Sequence, residues 1–115
     1  MTRPGVLASR KAVERMPAAK RLTPETALKQ VCIRMLALQG WASWAIPASN
    51  YGKNGLPDRI AIKDGCHVWL EFKAGKRQLT QPQIARIAEL EAAGAKVLVV
   101  RSVEDVMGLG EASLE

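Results

Sequence analysis

A chain of 115 residues, 48% of them hydrophobic, has room for one domain with one core. It holds no apolar run near the ~20 residues of a membrane-spanning helix and no secretory leader pattern, and two cysteines with one histidine make neither a disulfide framework nor a zinc site, which points to the reducing cytoplasm. The net charge of +6 is uneven: residues 1–22 carry six basic side chains against one acidic, and the rest carries eleven against ten. Residues 1–22 therefore read as a basic, flexible arm suited to a polyanion, or simply solvated, and 23–115 as the folded domain.

The first predicted helix opens at Thr23-Pro24-Glu25, with Thr23 as the cap and Pro24 at the first helical position. Leu28, Val31, Cys32, Met35, Leu36 and Leu38 recur at helical spacing, and Gly40 ends the run. A short strand is expected over 42–46, followed by a turn-rich loop over 48–55. Two apolar runs then flank Asp64-Gly65, the signal of a β-hairpin with strands near 58–62 and 67–73. A basic loop over 74–79 leads to Thr80-Gln81-Pro82-Gln83, a capping box, and to a helix reaching about residue 93, closed by Gly94. Residues 96–101 are expected to form a strand around the continuous apolar run Val97-Leu98-Val99-Val100, the pattern of a strand buried on both faces. Ser102 then caps a short helix over 103–109. This order predicts an α/β fold with an αβββαβ core and a mixed sheet flanked by helices.

The hairpin register carries chemistry. With Asp64-Gly65 as a two-residue loop, or 63–66 as a four-residue one, Lys63 pairs with Cys66, Ile60 meets Trp69, and Asp58 meets Glu71. A loop of odd length would break that match. Two carboxylates would then stand opposite each other with Cβ atoms roughly 5 Å apart. Like charges so placed are tolerated when a cation sits between them or when they share a proton. A hard divalent ion such as Mg²⁺ takes one or two carboxylates, retained waters and substrate phosphates. Lys73, two residues beyond Glu71 on the same face, is placed to hold or help deprotonate an attacking water. This is a constellation for metal-assisted phosphodiester hydrolysis, the lesser alternative being that Lys73 simply neutralises Glu71 in a structural ion pair.

Pro57-Asp58, twelve intervening residues, and Glu71-Phe72-Lys73 resemble the PD-(D/E)xK signature of restriction-endonuclease-like nucleases. The residues that follow, Glu71-Phe-Lys-Ala-Gly-Lys-Arg-Gln-Leu-Thr-Gln-Pro-Gln83, then a helix and Gly94-Ala-Lys-Val-Leu-Val-Val100, together with Gly55, are similar to the VRR-NUC family over roughly residues 24–106. That family includes small stand-alone bacterial and phage proteins and the nuclease domain of a larger eukaryotic DNA-repair enzyme. The resemblance implies the restriction-endonuclease-like fold. It also implies Mg²⁺ or Mn²⁺ held by Asp58, Glu71 and the backbone carbonyl of Phe72, with Lys73 orienting the attacking water. Glu25 matches the family's glutamate on the first helix, where it would serve a second metal, and Gln83 matches the glutamine on the second. Each also has a plainer account: Glu25 suits the helix dipole, and Gln83 completes the capping box. The implied activity is a structure-specific DNA endonuclease of repair or recombination, cutting branched DNA such as Holliday junctions as a homodimer.

Lys53, Asn54, Lys76 and Arg77 flank these residues in loops as phosphate contacts, and Tyr51 is a candidate for stacking on a base. Trp41, Trp44 and Trp69 read as core or interface, and Arg59 faces away from the carboxylates. A flap, nicking or single-strand nuclease would use the same residues. A DNA-binding module without catalysis would be expected to have lost one of Asp58, Glu71 and Lys73, and all are present.

Overall fold

The computed structural model describes residues 22–47 and 54–112, with side chains through residue 109. The basic arm over 1–22 lies outside the described residues up to position 21, as do Tyr51 and Lys53. In chain order the elements are α1 (Pro24–Leu38), β1 (Ala42–Ala45), β2 (Arg59–Lys63), β3 (Cys66–Phe72), α2 (Gln81–Ala92), β4 (Lys96–Val100) and α3 (Val103–Ala112). The expected αβββαβ order is therefore observed. None of these helices is long and apolar enough to cross a membrane.

The strands form one sheet in the order β1-β2-β3-β4. The first three run antiparallel, and β4 returns parallel to β3 after the α2 crossover, so the sheet is mixed. The hairpin turns at Asp64 (φ 50°) and Gly65 (φ 80°), both left-handed, as a two-residue turn matched to strand twist requires. Lys63 pairs with Cys66 and Ile60 with Trp69, the register read from the sequence. Regular pairing stops at Arg59 opposite Leu70, one step short of Asp58 and Glu71. The Asp58 carbonyl continues the ladder toward β1 by accepting the Ile46 N–H at 2.8 Å.

Even-numbered side chains of β3 point into the core. Val68, Leu70 and Phe72 pack there with Cys32 and Leu36 of α1, Ala61 of β2, Val100 of β4 and Val106 of α3. Helices α1 and α3 thus share one face of the sheet. Helix α2 covers the other, where Gln83 reaches the odd-numbered Glu71. Thr80 caps α2 and the capping box is complete, with Gln83 N–H on Thr80 Oγ1 and Thr80 N–H on Gln83 Oε1. Thr23 caps α1 by accepting the Thr26 N–H.

Two expectations need correction. Val31 and Leu38 are 53% and 76% exposed, because the buried stripe of α1 is narrower than its apolar one and comprises Cys32 and Leu36 with Leu28 and Met35 beside them. β4 is not buried on both faces: it is the edge of the sheet, Lys96 is exposed, and only Val100 is fully covered. Ser102 stands immediately before α3, its carbonyl accepting the Asp105 N–H at 3.2 Å, and the Asp105 carboxylate in turn accepts the N–H groups of Arg101 and Ser102. Both cysteines are free, Cys32 buried and Cys66 half-buried; burial and nearby Asp105 and Glu104 push the Cys32 thiol up to about 11. Trp41 belongs to the core, Trp69 is half-buried, and Trp44 is exposed on edge strand β1.

Candidate metal and phosphodiester site

The site lies where β3 runs out of the sheet, between the N-termini of α1 and α2. Glu71 sits on β3 between core residues Leu70 and Phe72, on the opposite face, and only 2% of it is exposed. Burial pushes its carboxyl up to about 8, helped by the adjacent Asp58 charge and a hydrogen bond between the two carboxyls; Lys73 acts in the opposite sense. Asp58 and Glu71 therefore face each other, as the register requires. Asp58 is fixed from the backbone side, since its Oδ2 accepts the Phe72 N–H at 2.9 Å. Lys73 is also buried, and its own N–H donates to the Val100 carbonyl at 2.9 Å, tying it to the end of β4.

Gln83 makes two contacts with its one side chain. Its Oε1 completes the capping box while its Nε2 donates to Glu71 Oε2 at 3.2 Å. Helix α2 thereby holds the rotamer of the buried acid. Gly55 explains why the chain can close around this point. Its φ is +90°, and a Cβ there would come within 2.2 Å of the Pro82 carbonyl and 2.7 Å of the Gln83 nitrogen. Only a residue without a side chain lets the loop before β2 lie against the first turn of α2.

Glu25, in the first turn of α1, lies close enough for its charge to raise Glu71 further. Its Oε1 is buried without a hydrogen-bond donor, and Arg77 Nη1 stands 3.7 Å from it. One turn on, Lys29 was not singled out in the sequence. Its Nζ lies 3.9 Å from Asp58 Oδ1 and 5.7 Å from the centre of the Phe72 ring. The only hint was its spacing of four residues from Glu25 on the same helix.

Asn54, Lys76 and Arg77 are exposed in the loops beside this cluster. Arg59 turns away, donating to Ser43 Oγ at 2.8 Å and the Ser43 carbonyl at 3.2 Å. Among the described residues no three His, Cys, Asp or Glu side chains stand close enough together to cage an ion by themselves. The donor set nevertheless fits a hard divalent cation. It has two facing carboxylates, one of them pushed up to about 8 chiefly by burial, and a buried oxygen of Glu25 without a donor. A cation of the Mg²⁺ type takes such a pair and completes its shell with waters and substrate phosphates.

The sequence matches no family model and no curated protein. Solved structures do match. A VRR_NUC domain superimposes with a TM-score of 0.68 at 23% identity, covering 78% of this chain and 97% of that one. The Holliday junction resolvase Hjc of Archaeoglobus fulgidus gives a TM-score of 0.53 at 17% identity, covering 67% of each chain. The chain thus has the restriction-endonuclease-like α/β fold that these nucleases share, as its motifs led one to expect.

Proposed function

We propose that this chain is a metal-dependent endonuclease that hydrolyses phosphodiester bonds in DNA, with branched DNA such as a Holliday junction as its substrate. The observation that carries the reading is the buried Glu71 carboxyl. It faces Asp58, is gripped by Gln83, and has the buried Lys73 close enough to act on its charge. A buried acid so placed costs stability, and its surroundings are organised to hold it rather than to remove it. The shared fold with a VRR_NUC domain and with Hjc supports the choice of DNA, and so does the excess of basic over acidic residues.

Asp58, Glu71 and the Phe72 carbonyl would hold Mg²⁺ or Mn²⁺, and Glu25 would serve a second ion. When bound, the cation supplies charge stabilisation for the phosphoryl oxygens in the transition state. Lys73 Nζ orients the attacking water and holds charge near the incoming oxygen. Gln83 keeps Glu71 from rotating away, and the hydrogen bond from Phe72 N–H keeps one lone pair of Asp58 Oδ2 committed. Asn54, Lys76 and Arg77, with Lys53 and Tyr51, would contact the DNA backbone and a base. Cutting a junction symmetrically needs two such sites, so the working form is a homodimer.

The test is cleavage of end-labelled duplex, flap, single-stranded and four-way-junction DNA with Mg²⁺ or Mn²⁺, comparing wild type with Lys73→Ala. Cutting by wild type, with the variant binding but not cutting, supports the assignment, and the preferred substrate separates a resolvase from a flap or nicking enzyme. If both proteins bind DNA and neither cuts it under either metal, the catalytic reading is wrong.

A further inference from the structure

We propose that Arg101 is a positioning residue that fastens the basic loop over 74–79 in the shape that presents Lys76 and Arg77 to a DNA phosphate beside Glu25. The proposal rests on the nuclease reading for its DNA half and on geometry alone for its positioning half. Arg101 directly follows β4, and its Nη1 donates to two carbonyls of the loop, Arg77 at 2.8 Å and Gly75 at 3.2 Å. Those carbonyls belong to a tight turn in which Gly75 takes φ 59° and the Arg77 N–H meets the Ala74 carbonyl at 3.4 Å. The turn's own bond is long, so the two charge-assisted bonds from Arg101 are the stronger hold on its shape.

Arg101 is itself anchored. Its N–H donates to Asp105 Oδ2 at 2.8 Å, and the neighbouring Val100 carbonyl accepts the Lys73 N–H at 2.9 Å. The loop is therefore tied to the end of β4 and the start of α3 as well as to β3. On its other side the loop and the first turn of α1 enclose a cleft of about 350 Å³, lined by Thr23, Glu25, Lys76 and Arg77 among others. Arg77 stands 3.7 Å from Glu25 Oε1, too far for a hydrogen bond, with its side chain 69% exposed. It can turn to a phosphate by giving up that one long ion pair and no side-chain hydrogen bond. A loop already held in place spares the ordering cost of capturing that phosphate.

The test has two arms. In the first, anisotropy in EDTA gives Kd and its salt dependence for junction and duplex DNA. The proteins are wild type, Arg101→Ala, Arg101→Lys, and the Lys76→Ala/Arg77→Ala pair with and without Arg101→Ala. Arg101→Ala should weaken binding about tenfold and flatten the salt dependence by roughly one phosphate contact. Arg101→Lys, which keeps a cationic donor for both carbonyls, should recover most of the loss. In the background lacking Lys76 and Arg77, removing Arg101 should change nothing further. An equal loss in both backgrounds would overturn the proposal, because Arg101 would then touch DNA itself. In the second arm, trypsin cleavage after Lys76 or Arg77 should quicken several-fold in Arg101→Ala at unchanged Tm, and unchanged protection would overturn the positioning role. If wild type binds none of the DNAs, the DNA half falls together with the nuclease reading, and the trypsin arm alone decides the positioning half.

Discussion

Two sets of side chains leave the end of β3, and they are equally hidden. Val68, Leu70 and Phe72 on one face are at most 2% exposed, and on the other Glu71 is 2% exposed, with Lys73 at 6% just beyond the strand. The first set stabilises the fold, each side chain contributing about 1.5–3 kcal/mol by leaving water. The second does the opposite: Glu71 is driven to about 8 by its burial. Neighbouring residues at the end of one strand thus carry stability and the proposed chemistry separately, and the pleat keeps them apart.

The sharpest way to separate the two sets is by activity. Asp58→Asn and Lys73→Ala should each lower the single-turnover cleavage rate by about 10²–10⁴ while leaving the urea midpoint nearly unmoved. Phe72→Ala, one residue away, should cost about 3–5 kcal/mol in urea unfolding. If Lys73→Ala proved as destabilising as Phe72→Ala, the two faces would not be distinct in role.

Gly55→Ala tests the join between them. Its Cβ would strike the Pro82 carbonyl, so the first turn of α2 must retreat and take Gln83 with it. A stability loss of about 1–3 kcal/mol is expected, together with slower cleavage. Unchanged stability would mean that the loop does not rest on α2.

Glu71 also makes the metal-free protein sensitive to pH. A carboxyl near 4.5 when unfolded and about 8 when folded binds its proton more tightly in the folded state. Stability from this group is complete below 4.5 and is lost as pH rises through 8. Thermal unfolding in EDTA should therefore show Tm falling from pH 5 to pH 9 in wild type. Glu71→Gln should remove most of that slope and be more stable by about 2 kcal/mol at the alkaline end. The smallest effect belongs to the exposed part of α1, where Val31→Ser should stay within about 0.5 kcal/mol in urea.

The hairpin and its carboxylates were legible because Asp64-Gly65 dictates the turn, the turn dictates the register, and the register brings Asp58 to Glu71. The capping box of α2 was legible for the same local reason. What could not be read depends on packing between distant segments. Lys29 meets Asp58 only because α1 lies across the end of the sheet. Arg101 reaches carbonyls 24 and 26 residues earlier. The apolar run of β4 looked like a central strand because apolar content does not reveal which strand forms an edge, and the exposure of Val31 and Leu38 likewise depends on how α1 is rolled against its partners.

The most direct test of the central claim, that the Asp58–Glu71 pair is built for a divalent cation, is calorimetric titration of Mn²⁺ into the wild type at pH 7. It would be run in two buffers of different ionisation heat, with Glu71→Gln alongside. Because Glu71 holds its proton to about 8, binding should release close to one proton per cation, and Glu71→Gln should lose the binding. If wild type takes up no Mn²⁺, or if Glu71→Gln binds it as well as wild type, the buried pair is not a metal site.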